Sequence, residues 1–152
     1  MSSTRSRARS ELDELVAARL RGAGQRVTAP RRELVDVLAR AKRPLTIPEL
    51  QQRAPGLATS SAYRNLGVLE EVGVVHRIVT TDDHARYELA EDLTEHHHHL
   101  ICSRCGSVVD VPASSRIEES MARAAAEIAR STGFHTQRHR VDLVGLCALC
   151  RS

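Results

Sequence analysis

The chain has 152 residues, 41% of them hydrophobic and only 2% aromatic. This length suits one ordinary domain, or two small ones that would need a bound metal or a dimer interface for support. No apolar run approaches the length of a membrane span and no hydrophobic signal core follows the first residues, so we expect a cytoplasmic protein without a membrane segment. The net charge of +3 comes from residues 1–90, where 15 Lys and Arg stand against 11 Asp and Glu, and this basic first part predicts contact with a polyanion.

Helical patterns dominate the first half of the chain. Residues 1–9 are rich in Arg and Ser and are predicted to form a disordered basic arm. Three helices are then predicted to open at Ser10, Thr28 and Thr46, the last through a capping box with Glu49.

A fourth helix over residues 59–72 is the predicted recognition helix. Its apolar positions recur at helical spacing, while its early outer face is polar. That outer face comprises Ser60, Ser61, Tyr63 and Arg64. Two strand patterns follow, at residues 74–79 and 86–89, so residues 10–90 are predicted to form a winged helix-turn-helix DNA-binding domain.

The second half reads as a small α/β domain, which gives an α+β chain overall. Residues 91–95 are polar and without periodicity, so they are the predicted hinge. Strand patterns at 100–102 and 107–111, a helix that ends at Gly133 and a last strand near 141–145 then predict a domain over residues 96–152.

The four cysteines form two Cys-x-x-Cys pairs, Cys102 with Cys105 and Cys147 with Cys150. Paired motifs of this kind favour zinc in a reducing compartment, and four thiolates complete a closed tetrahedral site. Because 41 residues separate the pairs, the metal would tie the first strands of the domain to its last residues. Redox dithiols, a disulfide pair or buried unreactive cysteines are the alternatives.

Four consecutive histidines, residues 96–99, precede the first cysteine pair. In a helix only His96 and His99 would share a face, whereas an extended backbone puts His96 and His98 on one side and His97 and His99 on the other. The extended arrangement predicts two metal sites on one strand, and a solvated polar stretch is the alternative. The further N or O ligands available are Glu118, Glu119, His135 and His139 on one side of the sequence and His76, Asp82, Asp83, His84 and Glu88 on the other.

These motifs, in this order, resemble those of the ferric uptake regulator (Fur) family. The resemblance runs from about residue 12 to residue 150 and is carried by the histidine–cysteine run 96–106, by Gly133, Phe134 and His139, and by residues 145–150. Residues 26–31 and 58–66 resemble the DNA-binding domain of that family. The resemblance implies a homodimeric, metal-activated transcription factor that binds AT-rich palindromic operators in double-stranded DNA.

The resemblance also implies three metal sites. It implies structural zinc on the four cysteines. It implies an additional site inside the dimerisation domain, formed by His96, His98, Glu118 and His139. It implies a regulatory hinge site that contains Glu88, His97 and His99, with Zn or Fe as the second metal.

The chain departs from the family pattern around the hinge. Iron-type members tend to supply a histidine just before the third helix, where this chain has residues 43–46 without one, and zinc-type members often supply a cysteine near residues 89–91, where this chain has none. His76 stands where some zinc-type members carry an aspartate. The predicted hinge site is therefore His76, Glu88, His97 and His99, a set without sulfur whose geometry rather than affinity would select Zn, Fe, Ni or Mn. His84, Asp82 or Asp83 could replace one of these ligands.

The DNA contacts are predicted on the recognition helix and before the second helix. Tyr63 would meet thymine methyl groups, Arg64 a base edge or phosphate, and Arg26 with the basic arm would reach phosphates or the minor groove.

Three other functions compete with a metal-sensing repressor. A peroxide sensor of the same family would use iron at a sulfur-free site to oxidise a histidine ligand. A metallo-hydrolase would need a nucleophile or base motif and a pocket, for which the sequence offers no motif, so we expect no enzyme activity. A metal-buffering protein would not need a helix-turn-helix.

Overall fold

The computed structural model describes residues 2–80, 82 and 84–152. The chain divides into two compact units, the first ending at Glu95 and the second beginning at His96. Among the described residues, no helix combines the length and the apolar character needed to cross a membrane.

The N-terminal unit combines four helices with a small antiparallel sheet in the described residues. Its helices are α1 (Ser2–Gly22), α2 (Ala29–Ala41), α3 (Ile47–Arg53) and α4 (Thr59–Glu71). Its strands are β1 (Leu45–Thr46), β2 (Val75–Val79) and β3 (Ala85–Leu89), in the order β1-β3-β2. Helices followed by a hairpin agree with the winged-helix prediction.

The first helix is longer than the sequence pattern predicts. It begins at Ser2, so Ser10 lies inside it and does not cap it, and residues 2–9 of the predicted disordered arm are helical. Residues 2–21 contain neither Gly nor Pro, and the side chains of Arg7 and Glu11 approach to 3.3 Å across the predicted boundary. The prediction failed because a good N-cap residue does not start a helix when the residues before it are also helix formers. Met1 lies outside the described residues.

Aliphatic side chains form most of the core of this unit, as the scarcity of aromatic residues requires, and Tyr87 is buried among them. The largest fully buried ones come from α1, α2, α3, α4 and the first strand, and they include Leu20, Leu34, Leu45, Leu50, Leu66 and Leu69. Thr46 and Glu49 form the predicted capping box, in which the Thr46 N–H donates to Oε2 of Glu49 over 2.8 Å. Thr28 occupies the N-cap position of α2, but its hydroxyl makes no cap hydrogen bond.

The wing is a three-stranded sheet. β2 and β3 pair in antiparallel fashion with His76 opposite Glu88, and β1 joins the far side of β3 with Leu45 opposite Tyr87. The sequence did not predict β1, because two residues are too few to show the alternation that identifies a strand.

The residues predicted as the hinge are attached to the N-terminal unit at one end. Glu91–Leu93 form a single 3-10 turn, in which Leu93 packs against the hydrophobic core and the Asp92 carboxylate pairs with Arg19. Arg19 also donates to the carbonyl oxygen of Gly73, so one guanidinium joins α1, the end of α4 and this turn.

The C-terminal unit is a three-stranded sheet with one long helix. Its elements are β4 (His97–Cys102), β5 (Val108–Pro112), α5 (Ser115–Thr132), β6 (Asp142–Gly145) and the short α6 (Ala148–Arg151). The strand order is β5-β4-β6, with β5 antiparallel and β6 parallel to the central β4. α5 is capped by the Ser114 hydroxyl and ends at Gly133, whose φ of 72° is the left-handed conformation that glycine adopts without strain.

A largely buried ion pair joins Arg86 of β3 to Asp82, which precedes that strand. The Arg86 guanidinium donates to both carboxylate oxygens of Asp82, over 2.9 and 2.7 Å, and also to the hydroxyl of Thr80. Only 10% of the Arg86 side chain and 22% of the Asp82 side chain are exposed. The hydrogen bonds from Arg86 hold the pKa of Asp82 well below its usual range.

Replacing Asp82 with Ala is therefore expected to destabilise the N-terminal unit. The change leaves the buried Arg86 without its main acceptor, which costs about 1–3 kcal/mol. Urea denaturation at pH 7 measures the loss in the free energy of unfolding. Asp13→Ala, at an exposed position of α1, is the matched control, and it should change that free energy by no more than about 0.5 kcal/mol.

The same pair predicts a pH dependence with a definite sign. Because the pKa of Asp82 is lower in the folded than in the unfolded chain, its contribution is present above the unfolded pKa of about 4 and is lost as the pH falls below it. Asp82→Ala should thus lose less free energy of unfolding on acidification than the unmutated chain. Parallel pH profiles of the two proteins would contradict this.

Candidate metal centres and nucleic-acid interface

The four cysteines converge at one end of the C-terminal sheet. Cys102 is the last residue of β4, and Cys105 lies in the turn before β5. Cys147 immediately precedes α6, and Cys150 lies within it. The four Sγ atoms all lie within 4.8 Å of one another, and those of Cys105 and Cys147 are 3.9 Å apart. Four thiolates about 2.3 Å from a tetrahedral zinc ion lie about 3.8 Å from one another, so these positions fit a structural zinc.

All four thiols are free, and their spacing makes simultaneous ionisation unfavourable without a cation. Backbone N–H groups of Cys105 and Cys147 lower the pKa of the Cys102 thiol to about 6. The hydrogen bond with Cys147 and the desolvation of the thiol raise the pKa of Cys150 to about 12. A divalent cation is the charge that allows all four to be thiolates together.

The structure places His96 and His98 on one side of β4, beside Glu118 of α5 and His139. Glu118 is central to this cluster. Its Oε1 lies 2.8 Å from Nε2 of His98, and its Oε2 lies 3.1 Å from Nε2 of both His96 and His139. Burial raises the pKa of Glu118. The hydrogen bond with His98 and the interactions with His96 and His139 lower the pKa by more than that, so it lies below its usual value.

Hydrogen bonding alone does not satisfy this cluster. Nε2 of His139 forms no hydrogen bond despite its short distance to Glu118, and Nδ1 of the fully buried His98 also has no partner. Three imidazole nitrogens within 3.1 Å of one carboxylate suit a divalent cation. Glu119, the neighbouring candidate, is exposed and pairs with Arg123 instead, and His135 is exposed.

The opposite side of β4 carries a second group of nitrogen and oxygen ligands. His97 and His99 lie with their ring centroids 5.1 Å apart, and Asp110 joins them from β5. The Nε2 atoms of His97 and His99 lie 4.0 and 3.9 Å from the Asp110 carboxylate, too far for hydrogen bonds and suited to a shared cation. The ligand atoms of these three residues lie within 4.8 Å of one another.

Asp110 was not predicted from the sequence as a candidate ligand. It lies directly opposite His99 in the β4–β5 register. Both strands were predicted from their patterns, but their pairing was not. Had the pairing been considered, Asp110 would have been the candidate, because it is the only acidic residue of the second strand.

The remaining hinge candidates belong to the N-terminal unit. His76 is exposed on β2 and lies across from Glu88 on β3. Both carboxylate oxygens of Asp82 are engaged by Arg86, and Nδ1 of His84 lies 2.6 Å from the carbonyl oxygen of Asp82. Asp83 lies outside the described residues.

The predicted recognition helix α4 buries its apolar face and exposes the predicted contact residues. Ala62, Leu66 and Leu69 are fully buried, whereas Tyr63 is 59% exposed. Ser60 and Arg64 are also exposed, Ser61 is half-buried, and Arg26 is exposed in the segment before α2.

Arg31 holds that segment against α4. It donates to the Asn65 side chain over 3.2 Å, to the Gln25 side chain over 3.3 Å and to the carbonyl oxygen of Arg26. Asn65 in turn donates to Ser61. These hydrogen bonds therefore fix the segment that contains Arg26 against α4.

Comparison with known proteins gives a consistent result. The model of the "Ferric uptake regulator family" matches residues 22–144. The chain is 31% identical to the peroxide-responsive repressor PerR of Staphylococcus aureus strain USA300, over 93% of this chain and 92% of that protein. Its fold matches the Helicobacter pylori ferric uptake regulator Fur, whose structure reveals three functional metal binding sites, with a TM-score of 0.74 and 26% identity over 95% of this chain and 94% of that one. It also matches the ferric uptake regulator from Pseudomonas aeruginosa with manganese, with a TM-score of 0.68 and 27% identity over 86% and 96% of the two chains.

Replacing Cys102 with Ser is expected to remove tightly held zinc and to unfold the end of the C-terminal sheet. The physical reason is that a structural zinc contributes on the order of 10 kcal/mol to folding when its ligands are held by the chain. Zinc content after chelator treatment and hydrogen exchange of β4 and β6 measure the two effects.

His135→Ala is the matched control, because it removes a metal-binding type of side chain that is exposed outside the three clusters. It should keep its zinc and its slow exchange. Retention of both by Cys102→Ser would contradict the structural role of the cysteines.

Proposed function

Since the chain belongs to the ferric uptake regulator family, we propose that it is a metal-responsive transcriptional repressor of metal-uptake and homeostasis genes that works in the cytoplasm. The observation that carries this proposal is the group His97, His99 and Asp110, a sulfur-free ligand set on the opposite side of β4 from the Glu118 cluster and distinct from the cysteine site. A site of that kind suits exchangeable divalent metal, whereas four cysteines suit permanent zinc.

The proposed DNA surface is the exposed face of α4 together with the segment before α2. Tyr63 and Arg64 would lie in the major groove, with Ser60 and Ser61 near the start of the helix, where hydroxyls can donate to phosphates. Arg26 would reach a phosphate or the minor groove. The excess of basic residues in the first ninety supports this assignment.

A homodimer is proposed because the C-terminal sheet leaves an apolar row uncovered. Val109, Leu100 and Leu143 lie side by side across its three strands and are 52%, 39% and 53% exposed. The apolar face of α5, with Ile117 and Ile128, is also exposed. A second copy of the chain would cover these surfaces, and a two-fold dimer matches a palindromic operator, which we expect to be AT-rich.

His97, His99 and Asp110 are the proposed protein ligands of the regulatory metal, Zn(II) or Fe(II). A bound divalent cation supplies positive charge and directed bonds that can join ligands from different elements. We propose Glu88 and His76 as the ligands from the wing, on the basis of their place in the sequence and of their pairing across β2 and β3. If the conformation in which all of these ligands reach the cation binds it about a thousandfold better than the alternative conformation, the conformational equilibrium shifts by about 4 kcal/mol.

The test is to replace His97 and His99 together with Ala. The double variant should stay dimeric, keep one zinc per chain on its cysteines and lose the gain in DNA affinity that added metal gives, a factor of about 5–150. DNA duplexes enriched from a random library by the unmutated protein serve as probes. Fluorescence anisotropy with Zn(II), Fe(II) or Mn(II) at one fixed salt concentration measures affinity.

Arg64→Ala is the complementary control. It should lower DNA affinity with and without added metal, because it removes a DNA contact and no metal ligand. A double histidine variant that still gains affinity on metal addition would place the regulatory site elsewhere.

Peroxide sensing is the second candidate function. Two observations favour it: the relatives named peroxide-responsive repressor PerR, and the absence of sulfur from the His97–His99–Asp110 group. In this function hydrogen peroxide is the two-electron oxidant. Iron held by these residues would direct one peroxide oxygen to a carbon of a histidine ring, and the other oxygen would leave as water.

Mass spectrometry of the Fe(II)-loaded protein after peroxide distinguishes the two functions. A peroxide sensor should gain one oxygen on His97 or His99 and lose DNA affinity in the same proportion, while the Zn(II)-loaded protein stays unmodified. Unoxidised histidines together with metal-dependent DNA binding would leave the metal sensor as the function.

A further inference from the structure

Asp142 lies beside the proposed regulatory ligands but is not part of any predicted ligand set. It is the first residue of β6, and the parallel register places it next to His99 of β4. Its Oδ1 lies 3.0 Å from Nδ1 of His99 and also accepts a hydrogen bond from Nε of Arg140 over 3.2 Å.

The two ring nitrogens of His99 therefore face different groups. Nε2 points toward Asp110 at 3.9 Å, on the side shared with His97, and Nδ1 points toward Asp142. A neutral imidazole has one N–H and one lone pair, and an ionised carboxylate only accepts hydrogen bonds. Asp142 thus selects the form with hydrogen on Nδ1, which leaves the lone pair of Nε2 directed at the cluster.

Backbone contacts of β6 hold Asp142 in place. Three residues further along β6, the carbonyl oxygen of Gly145 accepts from the N–H of Ser103 over 2.8 Å, and the N–H of Cys147 donates to Sγ of Cys102 over 3.4 Å. The backbone N–H of His99 also donates to the carbonyl oxygen of Val141 over 3.3 Å. These contacts hold β6 in register, so Asp142 cannot shift along β4 without breaking them.

We propose that Asp142 is a positioning residue that orients His99 and fixes its protonated nitrogen, and so strengthens divalent-metal binding by His97, His99 and Asp110. This inference rests on the proposed regulatory site. Asp142 is not assigned as a ligand, because its Oδ1 is engaged by His99 and Arg140. Carboxylates that hold a histidine ligand in this way contribute about 10–100-fold to metal affinity.

The first measurement is made on protein with zinc on its cysteines and no second metal. Nitrogen-15 NMR of the imidazole rings should show His99 with hydrogen on Nδ1 in the unmutated chain. Asp142→Asn has the same shape but no charge, and Asp142→Ala removes the acceptor, so both should lower the population of that form. An unchanged His99 signal in both variants would overturn the proposal.

The second measurement is a titration with Co(II). The d–d absorption bands that the double His97 and His99 variant lacks report the proposed regulatory site rather than the Glu118 cluster, and retained zinc reports the cysteine site. Asp142→Ala should bind the added Co(II) about 10–100-fold more weakly, and Asp142→Asn by a smaller factor, with zinc content unchanged. Glu127→Gln removes an exposed negative charge from α5 and should match the unmutated chain.

The outcomes separate the two proposals. If the unmutated chain shows the same Co(II) bands as the double His97 and His99 variant, the proposed regulatory site fails. If it shows further bands, and Asp142→Asn and Asp142→Ala reach them at the same Co(II) concentration as the unmutated chain, only the positioning role fails. Complete loss of these further bands in the Asn variant, as in the double His97 and His99 variant, would make Asp142 a ligand and would also overturn the positioning role.

Discussion

The C-terminal unit depends on the parallel pairing of β6 with β4, which ends where four thiol groups lie within 4.8 Å of one another. β6 is short and exposed along its whole length, so little burial keeps it in place. The cysteines lie at the end of β4 and in the residues that follow β6, so a cation bound there would join the two. By balancing the thiolates it would fix a register that extends from Gly145 back to the residue beside His99.

The central strand β4 separates two kinds of chemistry by the alternation of its side chains. One side carries His98, which Glu118 of α5 approaches, and next to it the apolar row through Leu100. The other side carries His97 and His99, with Asp110 and Asp142 brought in from the two neighbouring strands. A single extended segment can therefore contribute ligands to two separate sites, one on each side of the sheet.

The sequence was informative wherever the signal was local. Hydrophobic spacing predicted α2, α4 and α5, though not the four-residue α6. The Thr46–Glu49 spacing predicted a capping box, and the period of two predicted the split of the histidines. It failed at the start of α1, where continuous helix-forming residues outweighed a good cap at Ser10. It also failed wherever the answer depended on strand pairing: β1 was too short to recognise, and Asp110 and Asp142 become neighbours of His99 only through registers that periodicity does not specify.

The connection between β4 and β6 has a consequence for the order in which the C-terminal unit folds. β4 and β5 are joined by a short turn and can pair early, because closing a short loop costs little chain entropy. β6 is parallel to β4 and reaches it only after a crossover that includes the whole of α5, so its pairing is the non-local and therefore later event. His97, His99 and Asp110 can assemble on the early hairpin, whereas the Asp142 contact with His99 needs the completed crossover. A newly made chain would thus pass through a state with the hairpin ligands in place but His99 not yet restrained.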